Sequence, residues 1–257
     1  MACYIQSYLI HPLTMKKITT LLSALLISSY ASAGLTATIP DFQSTYDVNA
    51  FGANLGQARN SFKCIGENCT LISSAKPSGF AALFIKDSSV ETIKLKQTDQ
   101  SIEWQSYHKL GISENNGKRV QKHTNLRLDE KSQQIQAPEK ERSWPAQPNL
   151  FDVMSISYAL QYYKLNNQSI KKLDLHIQDS NFQEKLKILT ADQSDNIDLA
   201  FSPFEVKALK YSLDSQNYQI DLWLLPNKQF FPAKIRVINK HEDKTITLKL
   251  AEQPKIL

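Results

Sequence analysis

The sequence predicts a mainly β protein: a large curved antiparallel sheet, or an open barrel, wrapped around one central helix. Three observations lead there. Almost every stretch after Pro40 alternates apolar and polar residues with a period of two. One stretch only, Asn149 to Leu165, has helical spacing. The strand faces are also one-sided. Tyr218, Ile220, Leu222 and Leu224 share a face, and Ile235 and Val237 oppose Lys234 and Arg236. Ile246, Leu248 and Leu250 oppose Thr245, Thr247 and Lys249. This is the pattern of an antiparallel sheet covered on one side. About 12 strands at roughly 4.8 Å spacing span about 58 Å. A helix of about 15 residues is only about 22 Å long and 10 to 12 Å across. The sheet must then curl around the helix, close as a barrel or split into two layers. A curled sheet with one helix in its mouth leaves a hollow able to admit a greasy ligand. Complete filling by side chains is the alternative.

The N-terminus reads as an export signal. Met15-Lys16-Lys17 is a short basic start, Ile18 to Tyr30 is mostly apolar and uncharged, and Ala31-Ser32-Ala33 is a small-x-small cleavage site. The apolar run is short for a membrane span. Residues 1–33 are expected to be removed; the signal is complete from Met15, which is the expected true start, ahead of which residues 1–14 are superfluous. Residues 34–257 then form a single β-rich domain in the periplasm. The formal charge of the 257-residue chain is +5, and Lys16 and Lys17 leave with the leader. The remaining surplus is mild and spread out, which does not point to a nucleic-acid partner.

Taken in order, Ser44 to Ala50, Leu55 to Cys64 and Cys69 to Lys76 are the opening strands. Cys64 and Cys69 flank a Gly-Glu-Asn turn. In an exported chain they are expected to form a disulfide that fixes hairpin register. A redox pair is the rival reading, but C-x-x-x-x-C between strands is not the usual motif. Phe80 to Ile85 is too short to assign. Val90 to Gln97, Ile102 to Leu110 and Arg119 to Asp129 follow, the last two around the hairpin signal Asn115-Asn116-Gly117. A short strand, Lys131 to Ala137, comes next. Pro138 to Pro148, with Glu139, Lys140, Glu141 and Arg142, is expected to be an exposed, mobile connection. Then comes the helix. Leu150, Val153, Met154, Ser157, Tyr158, Gln161 and Tyr162 fall at three- and four-residue steps, and Asn149 or Asp152 is its candidate cap. The remaining strands are Lys172 to Asp179, Phe182 to Ala191, Ile197 to Phe201, Val206 to Asp214, Tyr218 to Leu225, Ala233 to Asn239 and Thr245 to Leu250.

Three motifs resemble the DUF3108 family, exported bacterial proteins without assigned function. They are Phe151-Asp152-Val-Met-Ser155-Ile-Ser-Tyr158-Ala-Leu160, the run Tyr218-x-Ile-x-Leu-Trp223-Leu-Leu-Pro226-x-x-x-Phe-Phe-Pro232-Ala-Lys234-Ile-Arg236, and Tyr46-Asp-Val48 with Gly52 and Gly56. The resemblance implies a curved sheet and helix similar to carriers of the LolA/LolB type. It carries over no catalytic residue, and the cysteine pair is not part of it.

No G-x-S-x-G, H-E-x-x-H or P-loop motif is present. His108 and His123 are expected on adjacent strands, but no third ligand is evident, so no metal is assigned. Asp192, Asp195 and Asp198 recur at three-residue steps, unlike a calcium loop. Glu103, Asp152, Glu205 and Asp221 are the carboxylates an enzyme could use. The aromatic candidates for lining a lipid or sugar groove are Tyr158, Tyr162 and Tyr163 on the helix, then Phe201, Phe204, Trp223, Phe230 and Phe231. The expected ligand-binding set is Tyr158, Tyr162, Trp223, Phe201, Phe231 and Asp152. The expected function is non-enzymatic, with no cofactor: binding or carriage of an apolar or amphipathic envelope component, a lipid or an envelope polymer. The alternatives are an interaction or scaffold protein acting on other envelope proteins, or an enzyme on envelope glycan or lipid.

Overall fold

The computed structural model describes residues 37–257, apart from 80, 81, 83–86, 116 and 117. The expected export signal, residues 1–33, therefore lies outside the described residues, as does most of Phe80 to Ile85. The strands are β1 (Phe42–Ala50), β2 (Ala53–Ile65), β3 (Asn68–Pro77), β4 (Ser88–Gln97), β5 (Ile102–Asn115), β6 (Lys118–Asp129), β7 (Gln134–Ala137), β8 (Arg142–Pro145) and β9 (Leu150–Phe151). After helix α1 (Ser155–Leu165) come β10 (His176–Gln178), β11 (Gln183–Lys185), β12 (Lys187–Ile197), β13 (Val206–Asp214), β14 (Tyr218–Leu225), β15 (Phe231–Asn239), β16 (Lys244–Leu250) and β17 (Lys255–Ile256).

Fourteen strands form one antiparallel sheet, in the order β12-β13-β14-β15-β16-β1-β2-β3-β4-β5-β6-β7-β8, with β17 added against β1. Phe231 on β15 packs against Tyr158 of α1, while Trp104 on β5 bonds Asp152 just ahead of it. These strands are six places apart along the sheet, yet both reach one short helix. The sheet is therefore curled around α1, as the one-sided strand pattern requires. Nine of the eleven α1 residues are buried, on every side of the helix, which is the signature of a plug rather than a surface helix.

The path does not close on itself. Its ends, β8 and β12, are separated by a small second sheet, β11-β10-β9. The seam there is joined by side chains: Arg142 Nη1 donates to the Asn181 carbonyl (2.6 Å) and Gln183 Nε2 to that of Pro145 (3.0 Å).

Several expectations need correction. The helix begins at Ser155, not at Asn149. Leu150 and Phe151 instead pair in parallel with His176 and Ile177, so their apolar side chains serve a sheet. Pro138 to Pro148 is not a bare connection, because Arg142–Pro145 forms an edge strand against β7. Phe182 to Ala191 is two strands divided at Leu186, and β12 runs on through Ile197. Leu199 and Phe201 then lie in a turn rather than a strand, with Leu199 buried by packing.

Cys64 and Cys69 face each other at the β2–β3 hairpin and are disulfide-bonded. Gly56 is required on the same strand, since a Cβ there would overlap the Lys76 carbonyl.

β14 is buried on both faces. Its outward residues are covered by long neighbours: Lys210 and Lys234 place their ammonium groups 5.2 and 4.5 Å from the Trp223 ring. Beside it, buried Asp221 accepts from Ser212 Oγ (2.6 Å) and Arg236 Nε (2.9 Å). Burial pushes this carboxyl up, but the Ser212 hydroxyl and the guanidinium outweigh it and hold the pKa below the ordinary value. A depressed folded pKa stabilises the fold above the unfolded value of about 3.9 and is lost as pH falls through the folded value. Arg236→Met is expected to cost about 3 kcal/mol at neutral pH by stranding a buried charge. In urea titrations that cost should shrink once the pH falls below the folded Asp221 value. An equal cost at both pH values would contradict it.

Candidate functional site

α1 fills only one end of the curled sheet. Beyond its N-terminus lies a hollow of about 550 Å³, within the size range of small-molecule sites. It is set by three cross-strand rows of inward residues. The row nearest the helix is large and apolar: Phe42, Phe62, Leu71, Ile93, Tyr107 and Leu126 are successive partners across β1 to β6. The next is polar: Ser44, Asn60, Ser73, Glu91, Lys109 and Thr124. The third starts at buried Tyr46 on β1 and is then small: Ala58, Ala75, Ser89 and Gly111, ending at Lys122. A Cβ on Gly111 would meet nothing closer than 3.7 Å, so its lack of a side chain simply leaves space. Val48, Val237, Ile246 and Leu248 form the facing wall, and Val153 and Met154 the floor.

The charges around this hollow are mostly paired. Glu91 and Lys109 lie 2.9 Å apart, and Glu242 and Lys244 lie 2.8 Å apart. Asp179 accepts from the Tyr218 hydroxyl (3.3 Å) and from Asn181. Burial, with Glu91 alongside, raises the phenol of Tyr107.

Asp152, at the floor, is the joint between sheet and helix. Its Oδ1 accepts the backbone N–H groups of Met154 (2.8 Å) and Ser155 (3.0 Å). Its Oδ2 accepts from Ser155 Oγ (2.7 Å) and Trp104 Nε1 (2.9 Å). The side chain therefore satisfies N–H groups ahead of the helix, as the cap reading anticipates. Burial pushes its carboxyl up, and these donors pull it back only in part.

Of the expected ligand-binding residues, only Asp152 lines the hollow. Tyr158 and Phe231 are core: with Phe42 and Phe62 they form an aromatic cluster with centroids 5.0 to 6.5 Å apart. Tyr158 Oη accepts from Asn60 (3.0 Å), and Tyr162 donates to the Thr98 carbonyl (3.0 Å). Trp223 lies on the outer sheet face, bonded to Asp195 (2.7 Å), and Phe201 packs on the edge of the core. Glu91, Lys109 and Lys122 were missed. Their signal is a change along each strand, from apolar to polar at inward-facing positions.

The other candidates are dispersed. Asp192 bonds Lys164 and Tyr211, Asp195 bonds Trp223, and Asp198 pairs with Lys249, so the aspartates serve separate partners. His108 Nε2 and His123 Nδ1 do approach, at 3.4 Å on the outer face. Among the described residues no group of three or more potential metal ligands forms. A second cavity of about 510 Å³, bordered by Gln100, Gln105, Gln133, Gln147 and Gln168, lies near the helix C-terminus.

The fold is similar to the crystal structure of a β-barrel-like protein of domain of unknown function DUF1849 from Brucella abortus. The TM-score is 0.50 at 9% identity, over 86% of this chain and 99% of that one. No family model matches the chain, so the DUF3108 resemblance rests on its motifs alone. No curated protein matches it either.

Asp152→Ala is expected to cost about 2 to 4 kcal/mol, from the lost cap and the buried indole N–H left unpaired. Chemical unfolding followed by tryptophan fluorescence would measure it. A cost under about 0.5 kcal/mol would show that the joint is replaceable by water.

Proposed function

We propose that this is an exported, periplasmic, non-enzymatic protein that binds or carries an apolar or amphipathic component of the cell envelope. The hollow of about 550 Å³ beside the helix carries this reading. Its walls combine Val48, Ala58, Ala75, Leu126, Val237 and Leu248 with a polar belt, a lining suited to a molecule with an apolar body and oxygen-bearing groups. The carboxylates singled out for an enzyme are already engaged or exposed: Asp152 by four donors, Asp221 by Arg236, and Glu103 and Glu205 in solvent. Together with the Ala31-Ser32-Ala33 cleavage signal, this favours carriage over catalysis.

Native mass spectrometry of protein purified from cells, then delipidated and re-exposed to envelope lipid extract, tests the reading. Bound, exchangeable lipid is the expected result, and none in either sample would end it. Gly111→Leu should fill part of the hollow without straining the backbone. It is expected to lower lipid occupancy at least several-fold while changing stability by less than about 1 kcal/mol. Unchanged occupancy would place the ligand elsewhere.

A further inference from the structure

Resting on that reading, we propose that the ligand is a single-chain amphiphile with an anionic head. The head sits at the mouth against Lys122, and the chain runs inward toward Met154.

The electrostatics of the hollow choose between its two ends. At the floor, Asp152 already occupies the N–H groups ahead of α1, so a second anion would meet a carboxylate and find those donors taken. The floor beside it is apolar, formed by Val153 and Met154. At the mouth the balance reverses. Lys109 is paired with Glu91, and Lys244 with Glu242. Lys122 has no carboxylate at ion-pair distance among the described residues. It stands directly opposite Gly111, at the end of the small row Ala58, Ala75, Ser89 and Gly111. Glu242 is held by Lys244 and also feels Lys122, so two lysines share one glutamate at this edge, while Asp179, a further carboxylate of the lining, accepts from Tyr218 and Asn181.

A second observation weighs against a bare hydrocarbon. Ser73 is 5% exposed and lines the hollow, so its hydroxyl is offered to whatever fills that space. A purely apolar occupant would leave that hydroxyl dry and unpaired, at a cost. A chain attached through an ester, amide or carboxyl oxygen would not. The head is a carboxylate or a phosphate, which share this chemistry and differ in source: a free fatty acid or a lysophospholipid.

The test is binding by the purified protein of palmitate, lysophosphatidylglycerol, hexadecanol and hexadecyltrimethylammonium, measured by competition against a fluorescent acyl probe. Either anion should bind about fivefold tighter than the neutral alcohol, the upper range for a solvent-accessible ion pair, and the cation weakest. Palmitate ahead of the lysophospholipid identifies a fatty-acid ligand, and the reverse a phospholipid fragment. Lys122→Glu should abolish the preference for anions while leaving hexadecanol affinity unchanged, and Lys122→Gln should fall between. If hexadecanol binds as tightly as the anions, or Lys122→Glu changes neither, the head-group assignment fails and carriage stands. If none of the four binds while the envelope lipid extract still loads the protein, the single-chain assignment fails and carriage stands; if neither binds, carriage fails as well.

Discussion

The structure depends on a mismatch of length. α1 has eleven residues and is about 16 Å long, whereas β2, with thirteen residues, runs for about 43 Å. One helix can satisfy the apolar face of such a sheet at one end only, and only if the sheet bends round to meet it. The contacts of Tyr158 with Phe42, Phe62 and Phe231 mark where that demand is met. Past the helix N-terminus the strands continue without it. What they enclose there is decided by side chains instead.

The inward residues respond to that change of circumstance. Beside the helix they are large, and beyond it they become polar and then small. An enclosed space lined only by leucine and phenylalanine would collapse or stay dry. Here the Glu91–Lys109 pair and the hydroxyls of Ser73 and Thr124 line part of the wall, so water can occupy the space until something better does. Displacing such water by an apolar chain is favourable where the wall is apolar. It is unfavourable where the polar belt loses its partners. The belt therefore selects how an occupant lies as well as whether it enters.

Much of the scaffold was legible. Val206 to Asp214 and Tyr218 to Leu225 are strands with the bounds the alternation indicates, because each is flanked by turn residues and covered on its inner face. Width alone ruled out a flat sheet and left curling, closure or splitting into two layers. The helix start was not legible. Leu150 and Phe151 carry the right apolar spacing, but a parallel partner at His176 and Ile177, far along the chain, claims them first. β8 was hidden for a similar reason: Pro145 and the charges of residues 139–142 look like a loop, and an edge strand tolerates both. The site residues were the least legible. Aromatic side chains drew attention because they are large, and for that same reason Tyr158 and Phe231 were needed in the core. The hollow is made by Ala58, Ala75, Ser89 and Gly111, whose significance lies in what they lack. It appears only once cross-strand register sets them side by side.

That register explains what the disulfide is for. Cys64 and Cys69 sit at the end of the β2–β3 hairpin away from the hollow, where closing so short a loop removes little chain entropy. Their pairing does fix Ala58 opposite Ala75, six residues up each strand. A slip of one residue would turn Ser74 or Lys76 inward and carry Ala75 to the outer face. A lysine ammonium would then point into the space the small row leaves open. The covalent link at one end of the hairpin thus adds to the ten paired positions that keep the small row facing inward.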